Sequence, residues 1–163
     1  MPFELRPYPT PTLRPDGDYL ERAWRQSVYP LAARMGVEIR LPHVSPQPYT
    51  RRAFEGLEFA KDHDRGSEYN DRVMRAFFQE SQDIGDPDVL AELAAEVGLT
   101  RETFRDAIGS GEYSARVESL LREAYGLGIE GVPFFVIGKR ALSGVQSRQA
   151  IEAAIDDAAM SGT

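Results

Sequence analysis

One stretch of this chain reads as a strand hairpin, and it limits what the rest can build. Phe134 to Ile137 is an unbroken run of aromatic and β-branched residues, which predicts a short strand buried on both faces. Gly138-Lys139 follows with glycine first, the order a type II′ turn requires. Arg140 to Leu142 returns as a less apolar strand, and Ser143-Gly144 ends it. Pro133 withdraws a backbone donor where the first strand begins, and a central strand cannot normally spare one. An edge position would answer that, as would a special backbone geometry such as a cis Val132–Pro133 peptide; these residues alone leave the alternatives open.

The remainder is mainly helical in pattern. Phe3-Glu4-Leu5 alternates like a half-buried strand, and residues 6 to 17 carry four prolines and Gly17, so they read as a connector. Asp18 is placed to cap a helix to about Met35, stopped by Gly36, with Leu20, Trp24, Val28, Leu31 and Met35 on one face and Pro30 as a kink or break. Val37 to Leu41 is a short extended piece before another proline loop. Further helices start at Thr50, after Gly66-Ser67, at Asp86, at Thr100 and near Tyr113. Asp86 caps, Pro87 takes the first helical position and Asp88 sits at the positive end of the dipole. Leu99 is placed to staple against Phe104. Ser147 to Met160 forms the closing helix, with Ile151, Ala154, Ile155 and Ala158 turned inward.

Composition removes several classes of function. A net charge of −7 and a pI near 4.9 disfavour a nucleic-acid groove or an anionic membrane surface as partner. Zero cysteines exclude disulfides, thiol nucleophiles and cysteine-held metals within these residues. No apolar run approaches the roughly 18 residues that would span a bilayer. Residues 1–6 lack the basic leader and apolar segment of a signal peptide, so cytoplasmic residence is the expectation. At 163 residues the chain fits one domain.

Other motifs read as structural. Gly126-Leu127-Gly128-Ile129-Glu130-Gly131 matches G-x-G-x-x-G, but a dinucleotide fingerprint follows a strand and opens a helix, and here the order is reversed. Asp83, Asp86 and Asp88 lack the ligand spacing of a cation loop; helix capping accounts for Asp86 and dipole compensation for Asp88. His43 and His63 lie too far apart in sequence for a local metal pair. Lys139-Arg140 reads as a solvated turn. No catalytic residue, cofactor site or metal site is expected.

Gly131-Val132-Pro133-Phe134-Phe135-Val136-Ile137, followed by Gly138-Lys139, Ser143-Gly144 and Gln146, resembles the second half of a DsbA-type thioredoxin-fold domain. The pattern is most similar to the FrnE-like, 2-hydroxychromene-2-carboxylate isomerase-related branch. Ser81-Gln82-Asp83-Ile84-Gly85-Asp86-Pro87 and the helices before the Val-Pro strand add to that likeness, as does Pro2-Phe3-Glu4-Leu5 as the end of a second strand. The resemblance implies an incomplete thioredoxin-like α/β fold. Residues 1–6 would end a strand, 18–127 would be a large helical insertion before the cis-proline strand, and 129–160 would be the hairpin and closing helix. It further implies an N-terminally truncated domain, without the first strand and the Cys-x-x-Cys that face the cis-proline loop in such proteins.

The activity so implied is dithiol–disulfide exchange, inactive in this cysteine-free chain. Val132 and Pro133 would bind an extended peptide or thiol-containing substrate. Two alternatives stay open. One is a glutathione-dependent isomerase or transferase of the 2-hydroxychromene-2-carboxylate isomerase or kappa type. The other is a non-enzymatic peptide-binding or dimerisation module, a homodimer filling the gap of the missing strand.

Overall fold

A computed structural model describes residues 1–161. They divide into two compact units, Arg6–Ser119 and a second built from Met1–Leu5 with the segment from Leu120 onward.

In the first unit, proline chemistry shapes the opening helix. Helix α1 (Asp18–Ala23) passes into a π turn over Trp24–Val28, and α2 (Tyr29–Met35) follows. Pro30 has no N–H to return to the carbonyl four residues back, and its ring crowds that carbonyl. The chain answers with a wider turn, in which the Tyr29 N–H reaches the Trp24 carbonyl five residues back. One extra residue shifts the helical phase by about 100°. The expected single stripe is therefore broken: none of the three pieces holds a buried residue, and Met35 is 62% exposed. Gly36 stops α2 at φ +66°, as the pattern predicts.

The core of this unit lies among α3 (Arg51–Asp62), α4 (Gly66–Glu80), α5 (Pro87–Glu96) and α6 (Arg101–Ser110). Asp86 caps α5 by accepting from the Asp88 N–H at 2.8 Å. Leu90, Leu93 and Ala94 then point inward from α5, and Phe104 and Ile108 from α6. Tyr69, Val73 and Ala76 do so from α4. Arg72 binds α4 to α5: its guanidinium meets both oxygens of Glu80, at 3.0 and 2.9 Å, and reaches Glu96 at 2.6 Å.

Helix α7 (Ser114–Gly126) carries the chain from the first unit into the second. There β1 (Phe134–Ile137) and β2 (Arg140–Ser143) pair antiparallel, Phe134 opposite Ser143 and Ile137 opposite Arg140, and α8 (Arg148–Ser161) follows. Ser147 caps α8, its hydroxyl accepting from the Ala150 N–H at 3.1 Å. Gly138 takes φ +58°, the sign required at the first position of the turn. That glycine also lets α8 approach, since a Cβ there would lie 2.8 Å from the Ala158 Cβ.

Three expectations are corrected here. Phe3–Leu5 is not a strand; the Glu4 carbonyl is taken by the Tyr125 hydroxyl at 3.3 Å, and Phe3 meets the Tyr125 ring edge-on at 5.5 Å. Glu4 is buried and Leu5 is exposed, the reverse of the predicted alternation. Phe134–Ile137 is not buried on both faces, Val136 being 57% exposed, because among the described residues the sheet has only two strands. Ile155 of α8 points outward while Ala154 is buried.

Candidate functional site

The hairpin positions the Val132-Pro133 loop. Antiparallel pairing closes at Phe134–Ser143, and one residue beyond it the Gly144 N–H donates to the Pro133 carbonyl at 2.9 Å. Gly144 adopts φ +78°, which lets the chain turn away at that point. The Gln146 side-chain amide then holds two carbonyls of the turn, Ser143 at 2.7 Å and Gly144 at 3.2 Å. The Val132–Pro133 peptide is cis. Val132 is 56% exposed, and among the described residues neither its N–H nor its C=O has a hydrogen-bond partner. The loop thus presents an unpaired donor and acceptor at the head of a strand. Pairing with extended chain is the chemistry such groups can perform.

A second feature lies wholly within the helical unit. A cavity of about 940 Å³ is lined by Tyr8 and Tyr49, by Arg51 and Arg52 in the first turn of α3, and by Glu55 and Ser114. Glu55 is buried and accepts the Ser114 hydroxyl at 2.6 Å, while Arg52 reaches the Gly85 carbonyl at 3.4 Å. Sequence reading passed over these residues because the fold gathers them from distant segments. One signal was available: α3 opens on two arginines with no acidic residue in its first turn, against the preference of the helix dipole.

The groups with shifted titration tie helices together. A hydrogen bond from the Arg116 guanidinium to Asp62, at 2.8 Å, holds that carboxyl below its usual range. Burial raises the neighbouring Tyr113 phenol, whose hydroxyl donates to Asp62 at 3.2 Å. The Arg72 hydrogen bond likewise lowers Glu96. Burial drives the Tyr69 phenol upward.

The remaining motifs occupy structural positions. The glycines at 126, 128 and 131 join a helix to a strand, with Gly128 at φ +70°. Asp83 accepts the Gly85 N–H at 2.9 Å, and Asp88 pairs with Arg105 at 2.9 Å. His43 and His63 are exposed; His63 stacks on Phe59 at 4.1 Å. Among the described residues no three metal-ligating side chains converge. Arg140 pairs with Asp157 of α8.

A helical insertion ahead of a Val-Pro hairpin and closing helix defines a class, and the comparisons agree. The chain belongs to the DSBA-like thioredoxin domain family, whose model matches residues 11–156. It has the DsbA-like thioredoxin fold, here mostly helical with a two-stranded sheet, as the resemblance implied. It is 46% identical over 159 residues to the uncharacterized protein YwbO of Bacillus subtilis (strain 168), covering 96% of this chain and 80% of that protein. Among solved structures it is similar to a probable DsbA oxidoreductase, SCO1869 from Streptomyces coelicolor. That match has a TM-score of 0.77 and 26% identity, covering 97% of this chain and 73% of the other. A 2-hydroxychromene-2-carboxylate isomerase shares the fold at TM-score 0.73 and 17% identity, over 88% of this chain and 70% of its own. No helix among the described residues is long and apolar enough to cross a membrane.

Proposed function

We infer that this chain belongs to the dithiol–disulfide oxidoreductase side of its family and holds an extended peptide, with or without a thiol, at Val132-Pro133. The observation that carries the reading is the exposed Val132, with both backbone groups unpaired at the head of β1. The 26% identity to SCO1869, described as a probable DsbA oxidoreductase, favours this branch. The isomerase likeness, at 17%, carries the fold alone.

The 163 residues include no cysteine, so they form no thiolate and no mixed disulfide with a substrate. Any dithiol exchange at this loop uses thiols that these residues do not supply. The net charge of −7 favours a peptide partner over nucleic acid or an anionic membrane. A second copy pairing along β1 is the competing occupant of the same groups.

Calorimetric titration of a flexible peptide, in matched cysteine and serine forms, tests the reading, with glutathione titrated in parallel. Equal binding of both peptides and none of glutathione is the expected result. Glutathione binding without peptide binding would move the chain to the isomerase and transferase branch. The protein alone, without added thiol, should not reduce insulin above the buffer rate.

A further inference from the structure

Gln146 lies outside the Val132-Pro133 loop, yet its hydrogen bonds lead into it. The Ser143–Gly144 peptide is a single rigid plane with a carbonyl at one end and an N–H at the other. The Gln146 side-chain Nε2 donates to the carbonyl end at 2.7 Å. The N–H end donates to the Pro133 carbonyl at 2.9 Å. A second, longer bond from the same Nε2, 3.2 Å to the Gly144 carbonyl, fixes the amide over the turn. Gly144 stands at φ +78° with open space where a Cβ would be, and both ends of the plane are held by hydrogen bonds.

We propose that Gln146 is the positioning residue of the Val132-Pro133 loop, acting through the Ser143–Gly144 peptide plane to set the direction of the Pro133 carbonyl. The proposal rests on the function inferred above for that loop, but the device can be observed without any ligand. Donation into the Ser143 carbonyl polarises the peptide and strengthens its N–H as a donor to Pro133. Loss of the Gln146 donor frees the plane to rotate, and the Pro133 carbonyl with it. Val132 stays exposed in that event, but its backbone groups no longer keep one orientation toward an incoming strand. The side chain touches no substrate; its influence is geometric.

Two variants separate hydrogen bonding from space filling. Gln146→Met keeps the length and removes the donor, and Gln146→Glu places a carboxylate against two carbonyl oxygens. The readouts are amide hydrogen-exchange protection at Gly144 and the Val132 amide chemical shift, with the Leu90 amide in α5 as the control for intact folding. Protection at Gly144 should fall roughly five- to tenfold in Gln146→Met, as expected for one lost hydrogen bond, and further in Gln146→Glu. The Val132 shift should move in both, while Leu90 keeps its protection. Unchanged Gly144 protection and an unmoved Val132 amide in the folded Met variant overturn the proposal, whatever the Glu variant does. Failure of wild-type protein to bind peptide would remove the inferred function and leave the Gly144 result to stand or fall alone.

Discussion

The Tyr69 hydroxyl lies against the Cα of Gly56, in the space a side chain at that position would need. Tyr69 is 1% exposed, and its hydroxyl has no hydrogen-bond partner among the described residues. A glycine inside a helix costs about 0.5–1 kcal/mol relative to alanine. Here it admits both Tyr69 and Phe104, whose Cζ would lie 2.6 Å from an added Cβ. Gly56→Ala should therefore destabilise the helical unit, by about 1–3 kcal/mol of overpacking, rather than stabilise it as helix propensity predicts. Tyr69→Phe removes a buried hydroxyl that bonds to nothing and should be neutral or stabilising by about 1 kcal/mol. Denaturant unfolding of both variants checks the pair of signs.

Arg72 makes acid stability predictable. Glu96 titrates below its ordinary 4.5 in the folded protein, chiefly through its hydrogen bond to Arg72. Asp62 titrates below its ordinary 3.8, chiefly through Arg116. A carboxyl lowered on folding adds stability above its unfolded value and loses it as pH falls through the folded one. Stability should thus decline on acidification below about pH 4.5, with Glu96 contributing first. Arg72→Met should cost about 1–2 kcal/mol at neutral pH, since Glu96 is half exposed, and flatten the acid limb. Urea midpoints measured at several pH values give both results.

Gly138 and Gly128 offer a controlled comparison within one unit. Both have positive φ, +58° and +70°, but only Gly138 has a neighbour, the Ala158 Cβ of α8. Gly128→Ala should cost about 1–2 kcal/mol for the left-handed backbone alone. Gly138→Ala carries that cost and a steric one, so its thermal midpoint should be the lower of the two.

Some elements were plain in the sequence because their causes are local. Asp86-Pro87-Asp88 predicted a capped helix start, and the cap is present at 2.8 Å. Gly138-Lys139 predicted a turn with glycine at positive φ, and it is there. The failures came where distant residues decide. The stripe from Leu20 to Met35 assumed an unbroken helical phase, which the π turn before Pro30 resets. Burial of Val136 depended on neighbouring strands that no local pattern can count. The Tyr49, Arg52 and Glu55 cavity was invisible because Tyr8 and Ser114 complete it from far along the chain. At the Val132-Pro133 loop the sequence supplied the position, and the Gln146 hydrogen bonds emerged only in three dimensions.

The absence of cysteine has a simple consequence for stability. No thiol or disulfide exists in the 163 residues, so unfolding midpoints should be identical with and without reductant. A shift on adding dithiothreitol would contradict the thiol-free reading.

Residue-resolved amide shifts during titration with a thiol-free extended peptide test the central claim most directly. The account predicts that the largest perturbation centres on Val132 and its β1 neighbours, with α5 unmoved. Shifts centred on Tyr49, Arg52 and Ser114, with Val132 unmoved, would contradict it and place recognition in the helical cavity instead.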